Sequence, residues 1–175
     1  MCIVVDSCAL PKVFRSSDKN HKKFSSVCNW IVNGDGVFVY GGTKFKAELA
    51  GDHKWFVKFL RLLQDHGKAI CADTKKVDDR QVKVQTLVTD PDFDDPHLIA
   101  LIGVTGCKLV ATSDKRAEKF LLDKGLYPKG VSVPAIFKDS AKHAAMLTAN
   151  NIGKCCCTST RLNKKSRQQL GLPTI

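Results

Sequence analysis

This 175-residue sequence predicts an α/β fold, a three-layer α/β/α sandwich built on a central parallel sheet. Three observations carry that expectation. Short apolar runs rich in β-branched side chains recur at 2–5, 37–40, 68–72 and 108–111. They are continuous rather than alternating, as in strands buried on both faces. Segments of helical period separate them, and strict strand–helix alternation implies a parallel sheet covered on both sides.

The elements follow in order. Residues 2–5, Cys-Ile-Val-Val, form a strand ending at Asp6-Ser7. Residues 10–33 supply one or two helices anchored by Phe14, Val27, Trp30 and Ile31, and Asn33 to Gly36 form a turn cluster. A second strand spans 37–40. Thr43 is expected to cap a helix through Leu49 or Ala50 that carries Glu48. Trp55, Phe56, Phe59, Leu60, Leu62 and Leu63 recur at helical spacing in 53–66, and Gly67 closes that helix. A third strand is expected over 68–72 and a polar helix over 73–89. Asp94 or Asp95 caps a helix starting at Pro96, where a missing N–H costs nothing. Leu98, Ile99, Leu101 and Ile102 make it apolar around most of its circumference, and Gly103 and Gly106 close it. The strand at 108–111 ends at Thr112-Ser113-Asp114, and another helix begins with Lys115. An edge strand is expected over 131–133, before Pro134, and Ser140 is expected to cap a last helix over 140–149.

Composition narrows the partner. The net charge is +11, from 28 basic and 17 acidic residues. Such a surplus favours a polyanion, and with the acidic cluster below it favours nucleic acid. No apolar run reaches the length of a membrane span. Met1-Cys2-Ile3 leads straight into a strand without a basic n-region, so no signal peptide and a cytoplasmic location are expected. Eight cysteines stand at 2, 8, 28, 71, 107 and 155–157 with no C-x-x-C pair, which suits reduced thiols better than a disulfide framework. Cys71 and Cys107 read as small buried hydrophobes. Residues 154–175 carry five basic residues and no acid, and read as a basic, loosely ordered tail beyond a domain at 1–153.

Four acids fall at element ends or on a rim helix: Asp6, Glu48, Asp95 and Asp114. Each alone has an ordinary explanation as turn former, solvated face or helix cap. In a parallel sheet, however, strand carboxyl ends and the starts of following helices share one rim. Clustered carboxylates repel, and a hard cation relieves them. Oxygen ligands of this kind suit Mg²⁺ or Mn²⁺, which activate water and hold a phosphodiester for in-line attack. No phosphate-binding G-x-x-x-x-G-K-[ST] loop and no G-x-S-x-G elbow is present. A strand-end aspartate nucleophile would want a second Asp two residues after Asp6, where Cys8 stands. His97 reads as a partly exposed helix residue.

The ordered set resembles the PIN domain, a metal-dependent nuclease family of toxin–antitoxin toxins and RNA-processing enzymes. The resemblance rests on Ile3 to Ser7, on Val39 through Ala47-Glu48-Leu49, on Asp95 with Leu98 to Ala100, and on Leu109 to Asp114. It covers residues 2 to about 137. It implies a catalytic and metal-ligating quartet of Asp6, Glu48, Asp95 and Asp114, with Asp92 and Asp94 open as alternatives for the third acid. Ser7, Thr112, Ser113 and Glu118 would support it, and Lys12, Arg15, Lys115 and Arg116 would bind nucleic acid. The function implied is a Mg²⁺- or Mn²⁺-dependent endonuclease, on RNA rather than DNA, with an antitoxin or a second copy of the chain as further partner. The competing reading is a PIN-like module that binds nucleic acid or protein without cleaving.

Overall fold

Five strands form one parallel sheet in the order β3-β2-β1-β4-β5. The computed structural model of the chain describes residues 2–148 together with Lys165 and Gln168. In chain order the elements are β1 (Cys2–Val5), a 3₁₀ turn (Ser7–Ala9), α1 (Leu10–Phe14), α2 (His21–Asn33) and β2 (Val37–Tyr40). Then come α3 (Thr43–Gly51), α4 (Lys54–Asp65), β3 (Ala69–Cys71), α5 (Thr74–Gln85), α6 (Pro96–Thr105) and β4 (Leu109–Ala111). The described part ends with α7 (Lys115–Leu121), a 3₁₀ turn (Lys124–Leu126), β5 (Ala135–Phe137), α8 (Ser140–His143) and a last 3₁₀ turn (Ala144–Met146).

Burial follows position in the sheet. Every residue of β1, β2 and β4 is buried, whereas the edge strands β3 and β5 each expose a residue. This is why the central strands are unbroken apolar runs. Val4 pairs with Val39 on one side and Val110 on the other, which centres β1 in the sheet. Packing divides the helices into two layers. On one face α1 lies against α2, α2 against α8 and α3 against α4, and the Phe14 and Phe56 rings join α1 to α4 at 4.8 Å. On the other face α5 packs on α6, and Phe93, Leu98 and Ile99 meet Phe120 and Leu121 of α7. Right-handed crossovers produce this split, because the chain moves one way from β1 to β3 and the other way from β3 to β5. Among the described residues no helix is long and apolar enough to cross a membrane.

Several expectations need correction. The last strand is residues 135–137 rather than 131–133. Proline has no N–H for the ladder, so pairing starts after Pro134, with the Ala135 N–H donating to the Lys108 carbonyl at 2.8 Å. Helix α6 runs past Gly103 and stops only at Gly106, whose φ of +65° is left-handed. Gly103 is needed for packing, since a Cβ there would stand 3.2 Å from Pro128 Cδ. Thr43 does not cap α3. Gly42 occupies that position with φ +84°, and Asp78 of α5 accepts from the Thr43 N–H and hydroxyl at 2.7 and 2.6 Å. Asp139, not Ser140, caps α8. Cys71 is exposed at the sheet edge, while Cys107 is buried as expected. The helix expected over 140–149 is only four residues long before its 3₁₀ turn, and Ala149 lies outside the described residues. So does the tail of 154–175 with its cysteine triplet, apart from Lys165 and Gln168, which are exposed.

Candidate functional site

The strand order reverses between β1 and β4. Their carboxyl ends are neighbours, but the chain leaves them toward opposite faces, which opens a crevice at that point of the rim. The Asp6 N–H still donates to the Ala111 carbonyl at 2.9 Å, so the two ends stay in register. Beyond it the side chains take over. The buried Asp6 carboxylate accepts from the Thr112 hydroxyl at 2.5 Å and from the Cys8 thiol at 3.0 Å. Thr112 in turn accepts from the Asp114 N–H at 3.0 Å, which ties the two strand-end acids through one hydroxyl.

Asp95 faces the others from the start of α6. It occupies the cap position there, yet its side chain makes no capping hydrogen bond. Burial, and then the charges of Asp6, Asp94, Glu48 and Asp114, push its carboxyl up to about 7. Asp95 has ligand atoms within 4.8 Å of those of Glu48 and of Asp114, and Asp6 is tied to Asp114 through Thr112, so the four expected acids share one crevice. Asp114 behaves differently. Burial alone would raise its pKa, but hydrogen bonds from the Arg116 N–H and guanidinium hold it below the ordinary carboxylate range. Arg116 bridges Asp114 at 3.1 Å and Asp94 at 2.9 Å. Of the candidates for the third acid, Asp95 is the least exposed and belongs to both ligand groups of the crevice, Asp94 is more exposed and belongs to one, and Asp92 pairs with Lys119, as Asp90 does.

Glu48 is held on α3 by Lys44 one turn earlier, at 3.5 Å. Its Oε2 is buried with no hydrogen-bond partner, and so are both ring nitrogens of His97. His97 is 1% exposed, which corrects the expectation of a partly exposed residue. Every residue of α6 but Val104 is buried, because α5 covers the side of α6 away from the sheet. Burial pushes the His97 imidazole below its usual range even though Glu48 and Asp6 pull the other way, so the ring is neutral near pH 7. Ligand atoms of Glu48, Asp95 and His97 lie within 4.8 Å of one another, as do those of Asp94, Asp95 and Asp114. Carboxylates that remain crowded, one of them held up to about 7, and orphaned buried acceptors fit a divalent cation.

The supporting residues divide. Thr112 acts on Asp6 as expected. Ser7 only opens the 3₁₀ turn, its carbonyl accepting from the Leu10 N–H, and Cys8 sits on Asp6 in its place. Loss of water around the Cys8 sulfur, and after it the Asp6 charge, raise the thiol pKa, so Cys8 stays protonated and donates. The Ser113 hydroxyl faces Lys12 and the Cys8 sulfur, not Asp114. Glu118 pairs with Lys138 at 2.5 Å.

That pair lines a second feature, a cleft of about 460 Å³ beside the crevice. Lys12, Lys23, Lys115 and Lys138 surround it, with Asn20, Phe24, Thr112 and Ser113. Lys12 and Lys115 were expected on a nucleic-acid surface. Arg15 was too, but it stacks over Trp55 at 4.4 Å. Arg116 is occupied by Asp94 and Asp114. Lys23 and Lys138 were missed, since they come together only when α2 and β5 flank the loop after β4. His97 left a usable signal, a metal-ligand side chain two residues after a candidate ligand.

Comparison of the chain with protein-family models, with curated proteins and with solved structures finds no match.

Proposed function

We propose that this protein is a metal-dependent endonuclease that hydrolyses phosphodiester bonds, in single-stranded RNA before DNA. The observation that carries the reading is the convergence of Asp6, Glu48, Asp95 and Asp114 at the sheet's reversal point, with Asp95 pushed up to about 7 by burial and by the other acids. A cluster serving only as turns and caps would not hold Asp95 at a cap position without a capping hydrogen bond against four like charges. Asp6, Glu48, Asp95 and Asp114 would hold Mg²⁺ or Mn²⁺, and when bound the ion supplies an activated water and neutralises charge on the phosphate. The Thr112 hydroxyl fixes the Asp6 carboxylate, and through the Asp114 N–H it fixes the loop that carries the fourth acid. Arg116 keeps Asp114 ionised. The adjoining lysines suit the phosphates of the same strand on one side of the reacting bond. The preference for RNA follows the resemblance to PIN domains.

The test is cleavage of mixed single-stranded RNA and DNA by the full chain with Mg²⁺, with Mn²⁺ and with EDTA. Metal-dependent cutting, with RNA cut faster, is expected. Cutting undiminished by EDTA, or none with either ion, would overturn the proposal.

A further inference from the structure

We propose that His97 is a nitrogen ligand to the ion held by Glu48 and Asp95, and that it makes this crevice a site for a first-row transition ion rather than for Mg²⁺. The inference rests on the metal reading above and assigns to the site a donor that the four carboxylates do not include.

Three observations converge on it. His97 is 1% exposed in the first turn of α6, and neither ring nitrogen has a hydrogen-bond partner. A buried polar atom left unpaired carries its full desolvation cost, so a histidine needs a reason to stand in a helix whose other residues are apolar apart from Gly103 and Thr105. The second observation is distance. His97 Nε2 lies 3.6 Å from Glu48 Oε2, and Nδ1 lies 3.8 Å from Asp95 Oδ1. Both are too long for hydrogen bonds. Two donors each about 2.1 Å from one ion, however, stand roughly 3.0 to 4.2 Å apart. The third is that Glu48 Oε2, the atom nearest Nε2, is itself buried without a hydrogen bond. Two orphaned donors facing each other across an ion-sized gap are what a ligand pair looks like before the ion arrives.

The two ordinary roles of a buried histidine fit less well. A packing role is served by any apolar residue, and the nearest ring, Phe45, lies 6.2 Å away at a tilt, with no contact that needs an imidazole. A purely hydrogen-bonding role, orienting Glu48 from behind, would bring Nε2 to about 2.9 Å. In metal sites one imidazole nitrogen binds the ion while the other N–H is anchored on a carboxylate. Here Nε2, which faces the orphaned Glu48 Oε2, is the ligand atom, and Nδ1 is the nitrogen left over once Asp95 holds the ion.

The consequence is selectivity. Mg²⁺ takes oxygen donors in a near-ideal octahedron, whereas imidazole suits ions of the first transition series. The test uses Mn²⁺ as the probe on the full chain, read by electron spin-echo spectroscopy with ordinary and ¹⁵N-histidine-labelled protein. A histidine nitrogen coupling that changes on labelling and disappears in His97→Gln is expected. The same substitution should weaken Mn²⁺ binding at least about tenfold and Mg²⁺ binding by less than about threefold. Should the variant fail to fold, the labelled wild-type protein still decides, because His97 is the histidine among the described residues whose nitrogens lie with the acids. Bound Mn²⁺ without a histidine nitrogen coupling, or a coupling that survives in His97→Gln, overturns this inference and leaves the carboxylate site standing. Absence of Mn²⁺ binding altogether overturns both.

Discussion

Two regions meet at the loop after β4, and adjacent residues separate them. The Thr112 hydroxyl turns to Asp6 in the acid crevice, while the Ser113 hydroxyl turns to Lys12 in the basic cleft. The crevice is built from side chains at most one quarter exposed, which crowd like charges and leave buried atoms unpaired. In the cleft the cations line a solvent-open wall and are partly matched, as Lys138 is by Glu118. The contrast teaches that the acids sit where their charges cost the fold something, whereas the lysines sit where charge is cheap. Groups held against their own preference are the better candidates for chemistry, and groups on an open wall are better placed to hold a polyanion.

The largest expected effect comes from breaking the crevice. Asp114→Asn should lower the cleavage rate by more than the roughly 100-fold that an outer-shell change costs, with the far-ultraviolet circular dichroism unchanged. A rate within tenfold of wild type would show that Asp114 only caps α7. Thr112→Val comes next. It removes the hydroxyl on Asp6 at nearly constant volume and should cost about 10- to 100-fold in Mn²⁺ affinity, measured by calorimetry.

A third prediction sharpens the contrast through pH. The Asp95 carboxyl is raised in the folded state, so the fold binds that proton more tightly than the unfolded chain does. Its contribution is fully favourable below the ordinary value near 4 and is lost as pH rises through about 7. In EDTA, the Tm of wild type should therefore fall relative to Asp95→Asn between pH 5 and pH 8. Parallel Tm curves would mean that Asp95 is not held up by its neighbours. The smallest effect belongs to the cleft. Replacing Lys23 and Lys115 by Ala should flatten the log–log salt dependence of RNA affinity by about 1.4, at about 0.7 per phosphate contact. Arg15→Ala should leave that slope unchanged, because Arg15 lies over Trp55.

What the sequence made legible follows the reach of its signals. Asp6 and Asp114 are readable because an apolar run marks each strand end, and the chain has only to stop being apolar. Glu48 is readable from the turn before it, although the cap that fixes the turn comes from Asp78, 35 residues beyond Thr43. Asp92, Asp94 and Asp95 share one loop, and which of them points inward depends on how α6 seats on the sheet, a tertiary fact. The burial of His97 depends in the same way on α5 covering α6. Glu118 is readable one helical turn beyond Asp114, but its partner, Lys138, arrives from the segment after β5, which the local sequence does not announce. The sheet's edge was misread at Pro134, where β-branched valines stand on the wrong side of the residue that cannot join the ladder.

The central claim is a division of labour, with chemistry in the crevice and grip in the cleft. Asp6→Asn tests it most directly when RNA affinity and single-turnover cleavage are measured on the same preparation with Mn²⁺ present. Loss of cleavage with RNA binding equal to or tighter than wild type is the predicted result, since one negative charge beside a polyanion has been removed. Cleavage at the wild-type rate would contradict the account, as would loss of RNA binding together with activity.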